Sequence, residues 1–307
     1  MKVIDLHCDV LMKMFLDHTI SFKDSDLLAV NYKHLRQTNS KLQYFALYVP
    51  EQVHPMLRYE AVLKMIRIFY KRILTLPKIK HIQTKADYLG LQDDEIGAVL
   101  ALEGCDAIQD DFVRLATLKE LGVCSVGLTW NFANIFADGA MEKRNAGLSL
   151  KGIQLVEWLK KHAIALDVSH LSEASFWDSI SIGGKIFASH SNCRAICDHP
   201  RNLHDEQIIE LVNKRGLIGL TFVQNFVTTK RKATIAHLLN HIEYICELGG
   251  FEHIGFGSDF DGTQQYVQGL HSYAGYYTLQ EELLKYYTYA QVEGFLYKNY
   301  EKFLFNG

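Results

Sequence analysis

The chain reads as an α/β protein, a (β/α)8 TIM barrel with a C-terminal helical extension. Three observations lead there. Eight short apolar runs recur along the chain, and helical patterns separate most of them. The runs are largely unbroken rather than alternating, as expected for parallel strands covered on both faces. Acids and histidines stand at or just past the C-terminal end of run after run, and in a closed barrel those ends form one mouth. An open doubly wound sheet is the alternative. With only four prolines and no low-complexity tract there is no evident linker, so residues 1–307 are expected to form a single domain.

The runs follow in order. KVIDLHC (2–8) carries His7, with Asp9 two places on. On a strand these two side chains share a face and Cys8 points away. LQYFALYV (42–49) is the second run, IGAVLALEG (96–104) ends with Glu103, and VCSVGLT (123–129) leads into Trp130 and Asn131. IALDVSH (164–170) holds Asp167 and His170, KIFASHS (185–191) holds His190, GLIGLTFV (216–223) is apolar, and HIGFGSDF (253–260) brings Asp259 with Asp261 just beyond.

Helical patterns cover 56–76, 112–121, 150–162, 172–180, 205–215 and 233–248, the last stopped by Gly249-Gly250. Cys193 and Cys197 have helical spacing and are expected in the core or on a helix face. The tail 278–305 reads as two packing helices.

Composition narrows the classes. A net charge of −3 does not suggest a nucleic-acid or anionic-membrane surface. No apolar run approaches the roughly 18–20 residues that span a bilayer. The six cysteines are scattered, which suits reduced thiols better than a disulfide framework. His7 lies too near Met1 for a removable leader ahead of it, so a cytoplasmic protein is expected.

Any one polar strand end can be a satisfied structural group, because burying an unpaired charge is costly. Several metal-type ligands gathered at one mouth are harder to explain that way. Three histidines and at least three acids also exceed what one tetrahedral ion needs, whereas two ions sharing a carboxylate would use them. Among the acids, Asp259 and Asp261 are equivalent on this reading, and Asp167 is not set aside. Arg201, in the loop CDHPRNL after the sixth run, falls on the same face as His190 and can hold a carboxylate through paired hydrogen bonds. His199 and His204 flank that loop and suit supporting positions. His162 and His253 precede strands, at the opposite face. His34, His54, His81, His237, His241 and His271 fall in helices or loops and suit packing or surface positions.

Taken together, DLHCD, VNYKHLRQTNSKLQYFALYV, ALEG, DVSH, SHS, HPRNL, GFGSDFDG and the closing VEGFLYKNYEKFLF resemble, in order and nearly end to end, the membrane (renal) dipeptidase family of zinc peptidases, within the amidohydrolase-like barrels. The resemblance implies two divalent metal ions, zinc by family habit. His7 and Asp9 would bind one, His170 and His190 the other, and Glu103 would bridge them. Asp259 would move a proton between the attacking water and the leaving amine, and Arg201 would hold the terminal carboxylate. The implied substrates are free dipeptides, including those with a D-residue at the C-terminal position. A homodimer is also implied, although no apolar stripe marks an interface.

One departure stands out. Many members carry a histidine after Leu-Thr, contacting the scissile carbonyl oxygen, and here that place holds Trp130. Indole has one donor and no positive charge. Asn131 is a candidate neutral donor to the developing oxyanion, and Trp130 a candidate pocket wall. Two further readings compete: another metal-dependent amidohydrolase acting on cyclic amides or lactones, and a metal-binding homologue with weakened catalysis. Deaminase-like relatives usually open with H-x-H, whereas this chain has His7-Cys8-Asp9.

Overall fold

The computed structural model describes residues 1–305. Nine parallel strands form one sheet: β1 (Val3–Asp5), β2 (Ser40–Tyr48), β3 (Ile79–His81), β4 (Ile96–Glu103), β5 (Val123–Gly127), β6 (Ala165–Asp167), β7 (Ile186–Phe187), β8 (Ile218–Leu220) and β9 (Ile254–Phe256). Eight of them run in the order β7-β6-β5-β4-β2-β1-β9-β8. A parallel bridge from Ala188 to Ile218 joins β7 to β8, so the eight close into a (β/α)8 barrel. The ninth, β3, pairs with the first three residues of β4. Farther along β4, from Leu100, β5 is paired instead. This strand was not expected, because only one of its three residues is buried and no apolar run announces it.

Alternate residues divide the barrel into two layers. Phe45, Leu47, Leu100 and Leu102 point outward into the large core shared with the helices. Ile4, Leu6, Leu42, Tyr44, Val99, Ala101, Phe187 and Leu217 form a second core together with Tyr300 and Phe303 of the last helix. Tyr44 Oη and Tyr300 Oη meet at 3.0 Å, so the expected tail helices are present and the last of them packs on this inner core. Helices between strands begin on side-chain caps: Ser149 Oγ accepts from Gly152 N–H and Ser172 Oγ from Ser175 N–H. No helix among the described residues is long and apolar enough to cross a membrane.

The strands are shorter than the apolar runs, and the site explains why. β6 stops at Asp167, whose Oδ1 accepts the N–H of Ser169, and His170 then takes φ +70°. β9 stops at Phe256, before Asp259 at φ +60° and Asp261 at φ +72°. Left-handed backbone cannot continue a ladder, and in non-glycine residues it clusters at functional positions. Cys193 and Cys197 are buried, but in an irregular segment where Cys193 bridges Leu203, not on a helix.

Candidate active site

Six of the residues expected at the mouth come together at the C-terminal ends of β1, β4, β6, β7 and β9. Glu103 is the centre. Its Oε2 lies 3.4 Å from His7 Nε2, and its Oε1 lies 2.9 Å from His170 Nε2 and 3.9 Å from His190 Nε2. On the first side, His7 Nε2 is 3.5 Å from Asp9 Oδ2 and 3.9 Å from Asp259 Oδ1. Two sets of ligand atoms, His7–Glu103–His190 and His7–Asp9–Asp259, each converge closely enough to hold an ion. The loop that carries Asp259 passes so near that a Cβ on Gly262 would fall 2.4 Å from both Asp259 Oδ1 and Asp9 Oδ2.

The unsatisfied atoms test whether a metal fits. His170 Nε2 and His190 Nε2 face each other at 2.8 Å. The other nitrogen of each ring is engaged, His170 Nδ1 with Asn131 Oδ1 at 2.9 Å and His190 Nδ1 with Ser189 Oγ at 2.6 Å. An amide oxygen accepts only, so His170 Nδ1 is the protonated nitrogen and Nε2 carries a lone pair. Ser189 Oγ donates onward to Asp167 Oδ2, so it accepts from His190 Nδ1, and the same tautomer follows there. Two lone pairs pointing at each other call for a cation between them. His7 Nε2 and Asp9 Oδ1 are likewise buried without hydrogen-bond partners. Nitrogen and carboxylate donors of this kind suit a zinc-like divalent ion.

The electrostatics agree. Burial opposes a charge on His7, yet Glu103 and Asp9 push its pKa well above the ordinary value. Burial and the Glu103 charge push Asp9 up to about 8. Burial also opposes ionisation of Glu103, but the imidazoles of His7 and His170 hold it well below the usual carboxylate range. Burial raises Asp259. A cluster that draws protons onto His7 and Asp9 is one whose field favours bound positive charge.

The acids left open by the sequence differ in their partners. Asp261 accepts from Lys13 Nζ (2.9 Å), Ala29 N–H (2.9 Å) and Val30 N–H (3.0 Å), so it ties the loop after β9 to the 29–30 segment. Asp167 accepts from Ser169 N–H, Ser189 N–H and Ser189 Oγ. Both are spent inside the scaffold, and Asp259, its side chain 16% exposed, remains facing the cluster. Asp5, at the end of β1, repeats the device of Asp167: its Oδ1 accepts from His7 N–H and Ser258 N–H, fixing a cluster residue and the strand end before Asp259.

Arg201 is only 4% exposed, and its Nε has no partner. Its Nη2 donates to the His190 carbonyl at 3.3 Å, and its guanidinium lies over the Phe226 ring at 5.6 Å. Burial lowers its pKa to about 10, against the pull of Asp259 and Glu103, so it stays charged at neutral pH. Trp130 stands beside the cluster, its ring centroid 5.3 Å from Tyr48 and 6.2 Å from His170. Asn131, the candidate neutral donor, places its amide oxygen on His170 and leaves Nδ2 for another partner. Ser189 and Tyr48 were not singled out from the sequence. Ser189 adjoins His190 within ASHS, which is the one local sign of its role.

Residues 1–304 match the family described as membrane dipeptidase, peptidase family M19. An uncharacterized protein of the pqqA 5′ region from Klebsiella pneumoniae is 31% identical over 189 residues, 58% of this chain and 70% of that one. An uncharacterized dipeptidase of Schizosaccharomyces pombe is 28% identical over 244 residues, 78% of this chain and 59% of the relative. Dipeptidase verJ of Clonostachys rogersoniana is 30% identical over 193 residues, 62% of this chain and 50% of the relative. The matches thus span between half and 70% of these curated relatives. Among solved structures, the M19 metallopeptidase dipeptidase AC has a TM-score of 0.92 at 24% identity, covering 99% of this chain and 98% of that one. A metallopeptidase from Rhodobacter sphaeroides, liganded with a phosphinate mimic of L-Ala-D-Ala, has a TM-score of 0.92 at 23% identity, with coverage of 99% and 98%. At these identities the likeness establishes the fold.

Proposed function

The chain belongs to the membrane dipeptidase family, peptidase family M19, and on that premise we propose that it hydrolyses the peptide bond of free dipeptides with the aid of two divalent ions. His7 and Asp9 would hold one ion, His170 and His190 the other, and Glu103 would hold both. The split of its two oxygens between His7 and His170 supports that assignment. When bound, the ions supply Lewis-acid polarisation of the carbonyl and a water of lowered pKa, and zinc suits the donors.

The protein's own groups do the rest. Asp259 accepts a proton from the attacking water and returns it to the leaving amine. Asn131 and Ser189 keep the Nε2 atoms of His170 and His190 unprotonated and aimed inward. Arg201 receives the dipeptide's terminal carboxylate. The observation that carries the dipeptide reading is this buried guanidinium, unpaired with any carboxylate among the described residues and set against the backbone of His190. The mimic bound by the Rhodobacter sphaeroides relative supports acceptance of a D-residue at the C-terminal position. The six free cysteines support a reducing, cytoplasmic setting.

The test is elemental analysis of zinc-saturated protein beside a panel of free dipeptides, cyclic amides and lactones. Two ions per chain and turnover confined to dipeptides are expected. A single ion, or turnover of lactones or cyclic amides in preference, would overturn the reading.

A further inference from the structure

Two cavities flank the ligand cluster, and they differ greatly in size. One, of about 360 Å³, is bordered by His170 and Arg201, with Val168, Leu171 and Leu203 in its wall. The other, of about 60 Å³, is bordered by Glu103 and walled by Tyr48, Trp130, Phe132 and Ala133. For scale, a cavity of about 150 Å³ accepts a benzene ring. The larger cavity has ample room for an aromatic side chain, and the smaller has room for little more than a methyl group.

Building on the dipeptidase reading, we propose that the substrates are dipeptides with a small N-terminal residue, glycine or alanine, and a large C-terminal residue, and that Trp130 and Tyr48 set the limit. The direction of binding follows from the cavities' borders. A carboxylate on Arg201 places the C-terminal residue in the large cavity. The acyl carbonyl then lies at Glu103 and the ligands around it, and the N-terminal residue enters the small cavity beyond. Charge points the same way. With Glu103 committed to the ions and Asp106 bound to Arg58 at 3.0 Å, Glu51 is left as the uncompensated charge around the small cavity. A free α-ammonium is therefore favoured at that end.

The small cavity is narrow because of its aromatic walls. Tyr48, the last residue of β2, tilts against Trp130 at 42° between ring planes. Behind Trp130 the backbone is close-set: Gly104 has φ +80°, and a Cβ there would lie 3.3 Å from Trp130 N. The tryptophan that departs from the family's histidine thus acquires a purpose as a size filter.

The test compares Ala-Phe with Phe-Ala, and Gly-Phe with Ala-Phe, each as the L,D and the L,L dipeptide, on zinc-saturated protein of measured metal content. Wild type should favour Ala-Phe over Phe-Ala by at least about 10-fold in kcat/KM, since forcing a ring into a filled site carries the cost of overpacking. Trp130→Ala and Tyr48→Leu should each narrow that ratio severalfold. Ala133→Leu should act the other way, lowering Ala-Phe relative to Gly-Phe. Each result is a ratio within one protein, so a general loss of rate does not affect it. Should Trp130→Ala not fold, the other two variants carry the same comparison. Equal turnover of Ala-Phe and Phe-Ala by wild type, or ratios unmoved in every folded variant, would overturn the size filter alone. No turnover of any of these dipeptides with two ions bound would overturn the dipeptidase reading and the size filter with it.

Discussion

Asp167 reaches His190 through a single hydroxyl: its Oδ2 accepts from Ser189 Oγ at 2.5 Å, and Ser189 Oγ accepts from His190 Nδ1 at 2.6 Å. The carboxylate thus acts on the imidazole without touching it. It fixes the ring's tautomer and makes Nε2 a better donor to a cation. His170 has its own fixing group in Asn131.

Removing the relay should weaken metal binding before it weakens anything else. Ser189→Ala should lower affinity for one of two ions by about 10–100-fold, the usual loss when such a supporting partner is deleted. Titration against a competing chelator reads this directly, and Ser189→Thr, which keeps the hydroxyl, should restore most of it. Unaltered affinity in the alanine variant would reduce the relay to packing.

Asp259 offers a cleaner separation of chemistry from binding. Asparagine keeps the shape, and it is among the residues most tolerant of a left-handed backbone, so the φ of +60° is preserved in Asp259→Asn. The amide cannot take a proton. Metal content should hold while kcat falls on the order of 10²–10⁴. A kcat near wild type would transfer the proton transfer to solvent.

His241 makes a prediction about stability, away from the ligand cluster. It is fully buried: Nδ1 accepts from Cys193 N–H at 3.1 Å and Nε2 donates to the Val227 carbonyl at 2.9 Å. Burial lowers its pKa from 6.5 to about 4. Between those values the unfolded chain binds a proton that the folded one refuses, so stability falls as pH drops from 6.5 toward 4. The loss approaches about 3 kcal/mol at the low end and is roughly 2 kcal/mol at pH 5. Urea midpoints at pH 7.5 and 5 should show this slope in wild type. His241→Gln should be less stable at pH 7.5 but should have a flatter slope by about one proton, and an unchanged slope would refute the assignment.

Much of this was legible from position alone. His7, Asp9, Glu103, His170, His190 and Asp259 sit where apolar runs end, and closing the barrel brings those ends together. The difference among Asp259, Asp261 and Asp167 was not legible, because it lies in partners remote in sequence. Asp261 is claimed by N–H groups at Ala29 and Ala29's neighbour Val30, more than 230 residues away, and Asp167 by Ser189. The extent of the strands was hidden for a related reason. His170 and Asp259 leave the ladder through left-handed backbone, which apolar patterning does not reveal. The contact of Asn131 with His170 was likewise hidden, because it joins residues 39 apart in sequence, and it leaves Nδ2 as the donor that the sequence suggested.

The last prediction concerns why this mouth should be restricted to dipeptides. A two-ion site can hydrolyse many amides, so the restriction needs a group that reads a free carboxylate one residue beyond the scissile bond. Arg201 is buried, has an unpartnered Nε and borders the large cavity beside His170. A buried cation without a counter-charge is costly, and a substrate carboxylate removes that cost while gaining charge-assisted hydrogen bonds. Such bonds are worth roughly 1.5–3 kcal/mol, or about 10–150-fold. Arg201→Ala should therefore raise KM for free dipeptides within that range. It should change little for C-terminally amidated dipeptides, which wild type should already cleave poorly. Arg201→Lys should rescue only in part, because a point charge lacks the planar fork. Equal loss on acid and amide substrates would show that Arg201 supports the His190 backbone through its 3.3 Å bond rather than reading the substrate.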